Sequence, residues 1–116
     1  MRLRGRWLNL AAGDGRYTLQ LLRKADRVIA ADIDASALSK LWHTTPQRYR
    51  KKLTTKNFNL TKKFPFKDHV FDGVFCTGIL HLFSEKMLQK IFSEIQRVVT
   101  VQGTVIIDFA AEIKRR

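Results

Sequence analysis

The sequence predicts an α/β domain built on a parallel sheet, and three observations carry that prediction. An apolar run, Trp7-Leu8-Asn9-Leu10, ends abruptly in Ala11-Ala12-Gly13-Asp14-Gly15, and an amphipathic stretch begins at once. That pattern reads as buried strand, tight loop and helix start. A second apolar run, Val28-Ile29-Ala30-Ala31, follows one short helix length later and ends in Asp32-Ile33-Asp34. A β-α-β beginning of this kind implies parallel strands joined by right-handed crossovers.

The loop between the first strand and the first helix has the form of a ligand cradle. Gly13 and Gly15 can take backbone angles closed to other residues, and without side chains they let a ligand approach main-chain N–H groups. A loop that is glycine-rich only for turning would look the same. Asp32 favours the cradle, because it falls nineteen residues after Gly13 at the tip of the second strand, where a ribose diol would be gripped. Two cofactor classes use this geometry. A dinucleotide fingerprint wants a third Gly or Ala where Thr18 stands, which weighs against NAD but leaves it as an alternative.

The remaining elements follow in order. The first strand begins near Arg6, and the first helix runs from about Gly15 to Lys24 with Leu19, Leu21 and Leu22 inward. The second strand is Arg27 to Ala31. Asp34 or Ser36 caps a helix through Ala35, Leu38 and Leu41 to about His43, before Pro46 interrupts the pattern. A short third strand is predicted at Asn57 to Leu60, a turn at Pro65 and Asp68-His69, and a fourth strand from Val70 to Cys76. Ser84 caps the next helix, Glu85 suits its positive end, and Leu88, Ile91, Phe92, Ile95, Val98 and Val99 form one broad buried face. Thr104 to Phe109 is the fifth strand.

Composition bounds the possibilities. At 116 residues the chain is read as a single domain, with 45% apolar residues for one core and 28% charged residues for a solvated surface. One cysteine rules out an internal disulfide, and no apolar run approaches the roughly 18 residues of a membrane span. A soluble, cytoplasmic protein with no membrane contact is therefore expected. Arg2, Arg4 and Arg6 resemble a charged signal-peptide start, but the glycine loop arrives before any sufficiently long apolar segment. Three scattered histidines and one cysteine do not make a metal-ligand set.

Three motifs in order, Leu8-Asn9-Leu10-Ala11-Ala12-Gly13-Asp14-Gly15-Arg16-Tyr17, Val28-Ile29-Ala30-Ala31-Asp32-Ile33-Asp34 and Phe64-Pro65-Phe66-Lys67-Asp68-His69-Val70-Phe71-Asp72-Gly73-Val74-Phe75-Cys76, together resemble a class I S-adenosylmethionine-dependent methyltransferase of the type 11 kind. The likeness runs from about residue 6 to residue 110. It implies a Rossmann-like parallel sheet of about five strands, order 3-2-1-4-5, flanked by helices, in a short form without the family's N-terminal helix and last two strands. It also implies S-adenosyl-L-methionine as cofactor and methyl transfer to an unidentified small molecule or RNA. A methyltransferase-like module that binds without catalysis is the alternative.

By the same resemblance the cofactor contacts are Asn9, Ala11, Gly13, Gly15, Asp32, Ile33, Asn59, Leu60 and Thr77. Asn9 stands where relatives carry Asp or Glu, and Ala11 where they carry Gly. His81 sits where many relatives have a histidine just past strand four, placed to take a proton from the acceptor or to line the pocket wall. Asp72 is read as a structural cap or turn residue. Cys76 is read as a small apolar filler rather than a nucleophile. Cys76-Thr77-Gly78-Ile79 is unlike the Pro-Pro-Tyr type motif of exocyclic base methylation, and Thr100-Val101-Gln102-Gly103 replaces the usual Lys-Pro-Gly-Gly turn. An open fifth strand would need cover from the C-terminal tail, a second copy of the chain or a partner.

The charge is lopsided. Within a net charge of +12, residues 35 to 67 contain no Asp or Glu, and Arg48, Arg50, Lys51, Lys52, Lys56, Lys62 and Lys63 are interleaved with Trp42, Tyr49 and Phe58. Such a segment can track a nucleic-acid backbone while stacking bases. A solvated lysine-rich surface over core aromatics is the competing reading.

Overall fold

The structure, a computed structural model, describes residues 3–13, 15 and 17–108. Its chain order is β1 (Arg6–Leu10), α1 (Thr18–Lys24), β2 (Arg27–Asp32), α2 (Ala35–Thr44), α3 (Gln47–Arg50), β3 (Leu53–Asn57), β4 (Phe71–Thr77), a single 3-10 turn (Leu80–Leu82), α4 (Glu85–Val98) and β5 (Val99–Asp108). The strands form one five-stranded parallel sheet of order β3-β2-β1-β4-β5. The Rossmann-like fold predicted from the sequence is the fold observed.

Strand alternation divides the interior between the two faces of the sheet. Leu8, Leu10, Ala31, Val74 and Cys76 pack with Ile91, Ile95 and Val98 of α4, and Trp7, Val28 and Ala30 pack with Leu21 and Leu22 of α1 and Leu38 and Leu41 of α2. The six apolar positions assigned to the inner face of α4 all join the first of these clusters. Gly73 is fixed by packing: a Cβ there would lie 2.2 Å from the Trp7 indole.

The boundaries differ from expectation at four places. The first helix starts at Thr18 rather than Gly15, because Gly15 has φ +90° and its carbonyl accepts the Thr18 amide in a turn. Strand three is Leu53–Asn57, not Asn57 to Leu60. The apolar Phe58 and Leu60 drew the expected strand too far along the chain, whereas both leave the sheet to pack beneath the segment that crosses its face. α2 ends at Thr44, before Pro46 as expected, but Pro46 then starts the short α3, which the sequence pattern did not indicate. Strand five begins at Val99, where its register with β4 jumps from Phe71↔Val99 to Gly73↔Thr104, so Thr100–Gly103 bulge outward. Phe109 and the C-terminal tail lie outside the described residues. β5 ends the sheet, with Val101 90% exposed and Val105 and Ile106 about 40%.

The segment from Phe58 to Val70 has no regular structure, and two devices hold it down. Phe58, Phe64, Phe66 and Phe71 form a chain of tilted and edge-on rings with centroids 4.9–5.6 Å apart. Arg97, near the end of α4, donates to the carbonyls of Phe66 at 2.8 Å and Phe64 at 3.0 Å, to Asp68 at 2.9 Å and to both oxygens of Glu94. The Phe64 amide in turn donates to Glu94 at 2.7 Å. Replacing Arg97 with Met would strand these carbonyls and leave Glu94 without its countercharge. We expect Arg97→Met to lose about 2–3 kcal/mol in urea unfolding.

The hydrogen bonds from Arg97, with one from the Phe64 amide, hold the Glu94 carboxyl below its ordinary value near 4.5. A carboxyl whose folded pKa is lowered contributes stability that is present above its unfolded pKa and lost as pH falls through the folded one. Thermal melts taken from pH 5 down to pH 3 should therefore fall less steeply for Glu94→Gln than for the parent chain.

Candidate cofactor site

The loop after β1 turns through three left-handed residues: Ala11 at φ +53°, Gly13 at +58° and Gly15 at +90°. Main-chain bonds pin it, with the Ala12 amide donating to the Ala31 carbonyl at 2.9 Å and the Gly15 amide to the Ala12 carbonyl at 3.0 Å. The Gly13 amide donates to Asp32 Oδ2 at 2.8 Å. Asp32 Oδ1 accepts the Asp34 amide at 2.9 Å. The two features that the sequence paired across nineteen residues thus meet directly at the carboxyl ends of adjacent strands, the edge where open α/β sheets bind ligands.

Each neighbouring residue has a definite task. Asn9 is 3% exposed, and its Oδ1 accepts the Thr18 hydroxyl at 2.7 Å while its amide lies 3.5 Å from the Phe75 carbonyl. It thereby ties β1 to the start of α1. Gly15 is where α2 leans on the loop, since a Cβ there would stand 2.3 Å from Leu41 Cδ1. At Gly13, among the described residues and apart from its chain neighbours, no atom lies within 4 Å of where a Cβ would be. The amides of Gly13 and Gly15 are thus spent inside the protein, on Asp32 and Ala12, instead of facing a ligand as the sequence reading supposed.

Beyond β2, Ile33 is 66% exposed, a large apolar side chain held open beside Asp32. Asn57, at the end of β3, donates its side-chain amide to the carbonyls of Asp32 at 2.8 Å and Ile33 at 2.9 Å, fixing that turn. The sequence reading missed Asn57 because it placed the strand too late; the adjacent β-branched pair Thr54-Thr55 was the available signal. Asn59 lies two residues past the strand, where its Oδ1 accepts the amide and hydroxyl of Thr61 at 2.9 and 2.8 Å. Leu60 is half-buried against the core. Asp34 caps α2 through the amides of Ser36 and Ala37, as one of the two expected caps, and the Ser36 hydroxyl holds its carboxyl below the usual range.

The far side of the edge is the end of β4. Thr77 is half-buried there, Gly78 turns the chain at φ +75°, and His81 is exposed on the 3-10 turn. Tyr17, which the sequence reading left unassigned, stacks on Phe75 of β4 at 5.4 Å and is 37% exposed. Cys76 is fully buried, and burial pushes its thiol up to about 12, which removes it as a nucleophile. Asp72 accepts the Arg6 amide at 2.9 Å, a structural role. Among the described residues, no cluster of three or more His, Cys, Asp or Glu side chains could hold a metal ion, and no helix is long and apolar enough to cross a membrane.

This edge presents hydrogen-bond acceptors beside an apolar face. Both Asp32 oxygens keep lone pairs beyond their one amide each, Gly13 leaves the approach open, and Ile33 supplies an apolar face. An open parallel sheet of this order, with a glycine loop and a carboxylate on adjacent strand tips, defines a nucleotide-cofactor domain. A family model described as "Methyltransferase domain" matches residues 8–107, and the chain belongs to that family. No curated protein matches it by sequence.

Solved structures show the same fold. DhpI in complex with SAM and HEP is 24% identical with a TM-score of 0.80, covering 97% of this chain and 50% of its own. Phosphoethanolamine N-methyltransferase 1 from Haemonchus contortus, in complex with phosphoethanolamine and S-adenosylhomocysteine, is 16% identical with a TM-score of 0.82, covering 91% and 22%. A protein from Pyrococcus horikoshii is 25% identical with a TM-score of 0.79, covering 90% and 49%. The chain spans about half the length, or less, of the solved structures it matches.

Two outcomes follow from this geometry. Gly15→Ala should destabilise the chain by about 2 kcal/mol or more, from the left-handed backbone and the Leu41 clash together. Ala11→Gly should be neutral or stabilising by up to about 1 kcal/mol. In native buffer near pH 8, Cys76 should resist a disulfide-exchange reagent and react fully only in denaturant. Rapid native labelling would show that the thiol is reachable.

Proposed function

We propose that this chain is the cofactor-binding part of an S-adenosylmethionine-dependent methyltransferase, transferring a methyl group to an unidentified small molecule or RNA. The observation that carries the reading is the 2.8 Å bond between the Gly13 amide and Asp32, which holds glycine loop and carboxylate together on one edge of the sheet. S-adenosylmethionine or S-adenosylhomocysteine in the complexes of related folds supports it.

In this reading Asp32 accepts the ribose hydroxyls through its remaining lone pairs, and Ile33 lies against the adenine. Asn59 and Leu60 border the ring's edge. Gly13, Ala11 and Thr77 bound the methionine end. Asn9 and Gly15 act by positioning, one through Thr18 and the other by admitting Leu41. The bound sulfonium supplies an already activated methyl, so the protein's part is to align the acceptor and exclude water. His81, on the same edge, takes the proton that an acceptor N–H or O–H gives up.

Two further readings are separated by the same measurement. NAD is disfavoured because Thr18, fully buried and bonded to Asn9, fills the place where a dinucleotide loop needs a small residue. Cofactor binding without catalysis is the other reading. Calorimetry should show S-adenosylhomocysteine binding and no NAD binding, and Asp32→Asn should weaken the former by about 10-fold or more; its amide nitrogen cannot accept one of the two main-chain N–H groups, so its melting temperature should fall and its affinity is read well below that temperature. Equal affinity in Asp32→Asn would remove the ribose assignment. NAD binding in place of S-adenosylhomocysteine would overturn the methyltransferase reading.

A further inference from the structure

We propose that the face of the sheet crossed by residues 58–70 binds a single-stranded nucleic-acid backbone, through two basic concavities lying on either side of the 61–67 segment. The first is a groove of about 620 Å³ between that segment and α4, bordered by Lys62, Lys63, Lys86 and Lys90, with the side chains of Thr61, Gln89 and Ser93 as further polar partners. The second, of about 570 Å³, opens between the same segment and the starts of β1 and β2, where Arg6, Arg27 and Lys67 stand over Phe66 and Phe71. Lys63 and Lys67 lie four residues apart on one short stretch of chain, so a single extended polyanion can meet both.

Cations outnumber carboxylates on this face among the described residues. Glu94 and Asp68 border it, but Arg97 engages both carboxylates, and the Asp72 carboxylate accepts the Arg6 main-chain amide. None of the seven cations forms an ion pair among the described residues. Their placement is also locally unfavourable. Lys86 and Lys90 repeat at the four-residue spacing that makes like charges repel on a helix, and Arg6 and Arg27 are direct register partners on adjacent strands. Spacing along α4 is about 6 Å from Lys86 to Lys90 at 1.5 Å per residue, a reach suited to successive phosphates of an extended strand. The first groove has no aromatic lining and would grip phosphates alone, whereas Phe66 in the second offers a ring on which a base can stack.

This surface differs from the run of basic residues conspicuous in the sequence. Arg50 donates to the carbonyls of Trp42, His43 and Thr45 at the end of α2, and Lys52 donates to the Leu22 carbonyl in α1. Arg48 lies over the Tyr49 ring. Those side chains serve the fold. Of the basic residues in the acid-free stretch 35–67, Lys62, Lys63 and Lys67 border the proposed track, and the other four cations come from elsewhere in the chain.

The test is fluorescence anisotropy with fluorescein-labelled 20-mer uridine RNA and 20-mer thymidine DNA, without S-adenosylmethionine, across a series of KCl concentrations. It thus succeeds or fails independently of the methyl-transfer reading. The parent chain should bind, with the two probes distinguishing a backbone contact common to both from one that needs the 2′-hydroxyl. A chain carrying Lys62→Ala, Lys63→Ala, Lys86→Ala and Lys90→Ala should bind at least 10-fold more weakly. Its log–log salt slope should drop by about 3, roughly 0.7 for each lost phosphate contact. A control carrying Lys24→Ala, Lys40→Ala, Arg48→Ala and Lys51→Ala removes equal charge from other surfaces and should keep most of the affinity; both chains are checked for an unchanged melting temperature. Equal loss in the control would reduce the effect to bulk charge and overturn the proposal, as would no binding of either oligonucleotide by the parent chain. Retention on anionic phospholipid vesicles without oligonucleotide binding would overturn it in favour of a membrane surface.

Discussion

The site depends on one charge-assisted hydrogen bond, from the Gly13 amide to the Asp32 carboxylate. It links two loops that leave neighbouring strands, alongside the main-chain bond from the Ala12 amide to the Ala31 carbonyl. Around it the chain satisfies each remaining polar group locally: the second carboxylate oxygen takes the Asp34 amide, and Asn57 reaches across from β3 to hold the two carbonyls that follow. Three strand tips are thereby locked together. The cost is that the loop's amides at positions 13 and 15 are used by the fold, so ligand recognition on this side passes to the carboxylate's free lone pairs and the exposed Ile33.

The two departures from the family pattern in the first loop have physical accounts. At 3% exposure and with a hydroxyl as its close neighbour, position 9 suits a neutral amide, because an ionised carboxylate buried there would need a countercharge. Asn accepts the Thr18 hydroxyl without that requirement. Ala11 adopts a left-handed conformation that glycine would take freely, a local strain of order 1 kcal/mol that the surrounding bonds hold in place.

The same economy governs the basic residues. With 22 Lys and Arg against 10 Asp and Glu, most cations in this chain have no acidic partner available. Some find carbonyls instead: Arg50 and Lys52 sit at the C-terminal ends of α2 and α1, where unpaired carbonyls and the helix dipole favour positive charge. Arg97 takes two carboxylates and two carbonyls, and holds the crossing segment with them. Seven of the others border the two concavities beside that segment.

Much of the fold was legible in the residues because it rests on short-range patterns. The strand-loop-helix signature at 7–20, the acid closing β2, the Asp34 and Ser84 caps and the apolar stripe of α4 each follow from periodicity or local hydrogen bonding. Strand three was misplaced because an edge strand half open to water is written in Thr, Lys and Asn, while the neighbouring Phe58 and Leu60 pack against the core outside the strand, Phe58 on the rings of Phe64 and Phe66. By itself, then, the sequence determined the parallel α/β fold and the pairing of glycine loop with Asp32, since both are set by backbone conformation and strand order. Only the tertiary structure decided which polar atoms are already engaged, which of many cations are free, and that Asn57 and Arg97 matter. Those outcomes depend on contacts between residues up to 66 positions apart, which no local pattern encodes.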